Sequence, residues 1–166
     1  VQGASMLAFI RQFSRTLTVV AALCVLLTAP TFAQAAPEVF DSLTEEQIVE
    51  IMKAEGYAVE LEPGDADSDP DVLWKLDGSK CLIFTYDKGH AIQFYVGFTD
   101  TDATLRKVNE WNQTKRFSRS YLDDEDDPCL ELDLDLAGGI TKDRLLDFFK
   151  TCKVSFSQWH KQVVGD

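Results

Sequence analysis

Leu130, Leu132, Leu134 and Leu136 alternate with Glu131, Asp133 and Asp135, the two-residue period of a strand with one dry face and one wet face. The same period runs through 91–98, where Ile92, Phe94, Val96 and Phe98 share a face and Gln93, Tyr95 and Gly97 take the other. Three further runs, 57–62, 72–76 and 81–87, read as strands, separated by a polar loop and by the turns Asp77-Gly78 and Lys88-Gly89. A hairpin of 117–122 with 129–136 follows a helix that starts at a Thr101 or Asp102 cap and carries Leu105, Val108 and Trp111 inward. An earlier helix over 45–55 is announced by the capping box Thr44-Glu45-Glu46-Gln47, lined by Ile48, Ile51 and Met52, and stopped by Gly56. The last helix begins at a Thr141 cap, and Leu145, Phe149, Cys152, Phe156, Trp159 and Val163 recur along it at helical spacing. The order α-β-β-β-β-α-β-β-α predicts one α+β domain over 44–166, with an antiparallel sheet flanked by helices.

The N-terminus follows another logic. Residues 1–35 have the build of a secretory signal, with Met6 as the start and 1–5 as an upstream extension. Arg11 and Arg15 supply the positive region, 16–29 is apolar and uncharged, Pro30 breaks it, and Ala33-Gln34-Ala35 offers a cleavage site before Ala36. The apolar stretch is short of the roughly 20 residues a spanning helix needs. Cys24 follows the bulky Leu23, which is unsuited to a lipidation site. The expected mature protein is periplasmic or secreted, with a linker over 36–43 and no stable membrane insertion.

Charge then narrows the partners. The 166-residue chain carries a formal net charge of −12. Residues 1–35 hold two arginines and no acid, so their removal leaves 14 basic against 28 acidic residues, a net −14. Such a surface repels phosphate backbones and argues against nucleic acid as a partner. Three cysteines, Cys81, Cys129 and Cys152, remain after the leader. An odd number permits at most one intramolecular disulfide, whose pairing the sequence leaves open. Cys152 falls on the apolar stripe of its helix, the place of a buried thiol.

The most distinctive segments are Asn109-Glu110-Trp111-Asn112, Arg116-Phe117, Tyr121-Leu122-Asp123 and Leu134-Asp135-Leu136 leading to Gly139. Together they resemble the signature region of the YbjN family, and the likeness in element order runs from Thr44 to the end of the last helix. The resemblance implies a fold similar to class I type III secretion chaperones, a homodimer, and a sensory or regulatory role. It transfers no catalytic residue, and an export signal is a departure from a cytoplasmic secretion chaperone.

Candidate chemistry is sparse. Asp65, Asp67 and Asp69 start like a calcium loop, but Pro70 stands where the turn glycine belongs and Leu76 where the bidentate glutamate belongs. The run 123–127 packs five acids into a hairpin turn before Pro128, the ordinary composition of a solvated turn. His90 and His160 have no nucleophile beside them in sequence, and nothing resembles a nucleophile elbow or a metalloprotease motif. No catalytic, metal or cofactor residue is therefore assigned. Partner binding is assigned to Trp111, Arg116, Arg119 and Tyr121, a basic and aromatic island on an acidic chain. Trp111 also has the spacing of a core residue. Arg119 has two placements: on the apolar face with Phe117 and Tyr121, or, after a one-residue slip, beside Glu131. The expected function is an exported, non-enzymatic domain that binds another polypeptide. The alternative is an envelope enzyme or a metal-dependent small-molecule binder using the acidic loops.

Overall fold

The structure, a computed structural model, describes residues 37–64 and 70–165. The expected export signal over 1–35 and the calcium-like run 65–69 lie outside the described residues. After a short strand β1 (Val39–Phe40) come α1 (Glu45–Ala54), β2 (Val59–Glu62), β3 (Asp71–Leu76), β4 (Ser79–Tyr86) and β5 (Ala91–Gly97). Then follow α2 (Leu105–Thr114), β6 (Arg119–Leu122), β7 (Pro128–Asp135), β8 (Ile140–Thr141) and α3 (Lys142–Trp159), which ends in a π turn (His160–Val164). Strands β2 to β7 form one antiparallel sheet in the order β2-β3-β4-β5-β7-β6, and β1 pairs with β8 in a separate ribbon. The fold is α+β, as the alternation implied.

One face of the sheet is dry. Val72, Trp74, Cys81, Ile83, Ile92, Phe94, Val96, Leu130, Leu132 and Leu134 are buried on it and join a single core with the inner residues of all three helices. Trp74 is the hub, with Tyr57, Phe94 and Phe149 packed edge-on at 5.1, 5.7 and 6.3 Å, the geometry that aromatic quadrupoles favour. The stripe read along α3 is fully accounted for: Leu145, Phe149, Cys152, Phe156, Trp159 and Val163 are all buried.

Local sequence sets the ends of the helices. Thr44 and Gln47 form the capping box on α1, and the Thr141 side chain accepts the Arg144 N–H at the start of α3. The cap of α2 is Thr104, two or three residues beyond the expected Thr101 or Asp102. Thr101 instead accepts the Ala103 N–H in a turn of its own, the competing local bond that short polar side chains offer. Residues 37–43, read from the sequence as linker, contribute β1 and the buried Leu43, whose N–H donates to Gly89 at 3.0 Å. Gly89 is required at that point. Its φ is +83°, and a Cβ there would sit 2.2 Å from the Leu43 carbonyl oxygen.

β6 decides between the two placements of Arg119. Arg119 pairs with Glu131, Ser120 with Leu130 and Tyr121 with Cys129, which is the slipped alternative. Ser120 therefore faces the core, Arg119 and Tyr121 face the other way, and Phe117 is 78% exposed in a left-handed turn before the strand. Two indoles hold this arrangement: Trp159 donates to Ser120 Oγ at 2.8 Å and Trp111 to Ser118 Oγ at 3.1 Å. A buried indole N–H needs an acceptor. Ser120 Oγ supplies it on the inner face.

Candidate functional site

The second face of the sheet has no helix over it among the described residues, since α1, α2 and α3 all bury their apolar sides in the one core. Along this face a continuous row crosses all six strands: Glu60, Leu73, Leu82, Tyr95, Glu131 and Arg119. Beside it lie Phe84, Gln93 and Asp133, then Tyr86, Ala91 and Asp135. Wet parity alone does not make these positions wet. Glu131, Gln93 and Cys129 are buried, although the alternation assigns all three to the solvent side.

Hydrogen bonds explain how polar groups come to be buried here. Tyr121 donates its phenol to Glu131 Oε1 at 2.7 Å, and Arg119 holds Glu131 Oε2 through Nε and Nη2. Gln93 donates to Asp133 at 2.7 Å and accepts from the Tyr86 phenol at 3.3 Å. The Tyr95 hydroxyl lies 3.3 Å from the Cys129 thiol, in space left by Gly97, where a Cβ would come within 3.0 Å of that hydroxyl. Among the described residues, each buried side-chain polar atom is thus satisfied.

The electrostatics follow the same contacts. The hydrogen bond to Glu131 raises the Arg119 pKa and keeps the guanidinium charged. Burial, then the bond to Glu131, raises the Tyr121 phenol, and the bond to Cys129, then burial, raises Tyr95. Burial pushes the Cys81 thiol up to about 12 and also raises Cys129 and Cys152, so all three are held away from the thiolate form. No disulfide joins these three cysteines, and each is buried.

The four residues assigned to partner binding are only partly brought together. Arg119 and Tyr121 share Glu131 on the open face. Trp111 is buried under α2, with Lys115 Nζ 5.5 Å from its ring, and Arg116 is exposed next to Phe117 at the exit of that helix. Sequence reading offered Glu131 as one of two neighbours of Arg119 but missed Gln93 and the outward aromatics Phe84, Tyr86 and Tyr95 as parts of the site. The signal was present as Arg-x-Tyr opposite a glutamate, but it acquires meaning only with the register.

The other candidate groups have local structural tasks. His90 Nδ1 lies 2.7 Å from the Asp41 carbonyl, and His160 packs edge-on against Phe98 at 5.0 Å. In the acidic turn, Asp123 Oδ1 accepts the Glu125 and Asp127 N–H groups at 3.0 and 2.9 Å. No cluster of three His, Cys, Asp or Glu among the described residues is placed to hold a metal. A cavity of about 380 Å³ lies on the open face between Leu73, Leu82, Lys80, Tyr95 and this turn.

The YbjN family model, described as "Putative bacterial sensory transduction regulator", matches residues 44–163, from the cap of α1 to the π turn. The chain belongs to the YbjN family. Among solved structures, the crystal structure of YbjN, "a putative transcription regulator from E. coli", matches with a TM-score of 0.51 at 12% identity. The match covers 70% of this chain and 87% of that one, and at this identity it speaks for the fold alone. No curated protein matches in sequence. The YbjN match contains the whole six-stranded sheet, so the open face is part of the family's domain rather than an addition to it.

Two measurements test the site. The Arg119 side chain is 62% exposed and that of Glu131 only 8%, so Arg119→Ala leaves a buried carboxylate held by Tyr121 alone. The expected loss is about 2 kcal/mol in urea unfolding, below that of a fully buried pair because the arginine is wet, and adding Glu131→Gln should recover part of it. Unchanged stability would mean that the pair contributes nothing and leave Arg119 available for docking. Iodoacetamide should label Cys81, Cys129 and Cys152 only after unfolding, and rapid labelling of any of them in native protein would contradict their burial.

Proposed function

We propose that this YbjN-family chain is a non-catalytic binding module that takes another polypeptide on the open face of its six-stranded sheet. One observation carries the reading: Leu82, Phe84, Tyr86, Tyr95 and Tyr121 line a face that none of the described helices covers. Aromatic residues and arginine, here with Arg119 at the β6 edge of the face, are the composition enriched in protein interfaces. The regulatory description of the family fits action by association. The acidic chain favours a protein over a nucleic acid as the regulated partner.

Several groups that could serve catalysis are otherwise engaged, which supports binding over chemistry. The three thiols are buried with raised pKa values, and His90 and His160 are tied to a carbonyl and to aromatic rings. The acidic turn is organised by its own backbone through Asp123, so its carboxylates are arranged as a turn before they are arranged as a ligand set. The proposal also places the protein in the periplasm or outside the cell, on the strength of Arg11, Arg15, the apolar stretch and Ala33-Gln34-Ala35. No helix among the described residues is long and apolar enough to cross a membrane.

Tyr86 is 51% exposed at the rim of the open face. Tyr86→Lys, which removes the ring but keeps a donor for Gln93, is expected to leave the melting temperature nearly unchanged and to reduce recovery of the partner several-fold when mature protein is used for affinity capture from an extract of its own cells. Equal recovery by both proteins would remove the open face from the function. For export, N-terminal sequencing of the extracytoplasmic form should start at Ala36, and an intact leader in the membrane fraction would refute the cleavage.

A further inference from the structure

The sheet has two edges, β2 and β6, and an edge strand offers its outward N–H and C=O groups to any chain that can pair with them. In antiparallel pairing, alternate residues turn both backbone groups away from the neighbouring strand. On β6 those residues are Ser120 and Leu122, and the outward groups of Ser120 are occupied. Asn112 Oδ1 accepts the Ser120 N–H at 3.0 Å, and Asn112 Nδ2 donates to the Ser120 carbonyl at 2.8 Å. A carboxamide offers the same donor and acceptor as a peptide unit, so Asn112 makes the pair of bonds that one residue of a seventh strand would make. We propose that Asn112 is a strand surrogate, projected from α2, that closes the β6 edge against a second copy of this chain.

A second copy is the relevant intruder because β6 is self-compatible. Antiparallel pairing of two β6 strands about Ser120 would set Arg119 of each opposite Tyr121 of the other, with no like charges facing. The β2 edge is protected differently. Antiparallel pairing of two β2 strands about Leu61 would bring Glu60 of each against Glu62 of the other, a repulsive contact. Charge guards one edge and a side-chain amide guards the other. This assigns a task to Asn112, part of the distinctive Asn109-Glu110-Trp111-Asn112 segment whose Trp111 is core. Trp111 anchors the adjacent Ser118, and Trp159 anchors the Ser120 hydroxyl, so the surrogate meets a strand already held in register.

The test compares wild type, Asn112→Ala and Asn112→Asp by sedimentation velocity over a concentration series, with amide hydrogen exchange at Ser120. Asn112→Ala should exceed the mass of wild type at equal concentration. Its Ser120 amide should exchange at least tenfold faster when dilute and recover protection as association proceeds. Asn112→Asp keeps the acceptor for the N–H but sets a carboxylate against the Ser120 carbonyl, and should fall between the two. Adding Tyr121→Arg to Asn112→Ala, which puts arginine opposite arginine in the β6 pair, should restore the wild-type mass. Circular dichroism establishes that each variant is folded, and Asn112→Asp serves if Asn112→Ala does not fold. A folded variant with wild-type mass and wild-type exchange at Ser120, or association that Tyr121→Arg leaves intact, would overturn the proposal.

Discussion

Burial of a single face of the six-stranded sheet beneath three helices is the constraint on which the rest of this molecule depends. Strand parity is fixed, so once Leu130, Leu132 and Leu134 must be dry, every neighbour paired to them inherits its face. Phe94 and Ile92 follow on β5, Ile83 and Cys81 on β4, Trp74 and Val72 on β3. The same bookkeeping sends Tyr95, Phe84, Leu82 and Leu73 to the opposite side, where they make a second, partly apolar surface with no helix among the described residues to receive it. Two apolar faces and helices for only one of them is the physical basis for assigning association to this protein.

The open face is not simply an uncovered core. Its apolar residues are interrupted by the Arg119-Glu131-Tyr121 and Tyr86-Gln93-Asp133 contacts, which satisfy their own hydrogen bonds and let polar groups lie buried in a sheet surface. Such a face can exist in water without a partner and still offer aromatic area to one. Arg119 is accordingly a structural residue in the first instance: its charge is directed to Glu131, and any contribution to a partner comes from its exposed part.

The two ends of the sheet show how little separates a strand from a docking site. β6 has only four residues and would be a weak edge, yet one indole and one carboxamide tie it to α3 and α2, and a second indole ties Ser118, just before it, to α2. These ties make the helices part of the sheet's hydrogen-bond account as well as its hydrophobic cover. They also connect the most distinctive segment of the sequence to a definite physical task.

The order of the three helices and the six sheet strands, the dry faces of β5 and β7, the caps Thr44 and Thr141 and the whole inner stripe of α3 were legible in the amino-acid sequence, because each depends on a local period or a bond spanning three residues; the β1–β8 ribbon, which joins two distant segments, was not. The family was legible for a related reason, since its distinctive residues sit in these same elements. The cap of α2 was misplaced to Thr101 or Asp102 because several short polar residues compete over a few positions and only the packed helix selects Thr104. Tertiary structure alone chose the register of β6, which a one-residue slip inverts. It thereby decided that Ser120 meets Trp159 and Asn112, that Arg119 meets Glu131, and that residues with the parity of solvent become buried. Those outcomes depend on pairing between segments distant along the chain, and no periodicity within either segment records which residue of the other lies opposite.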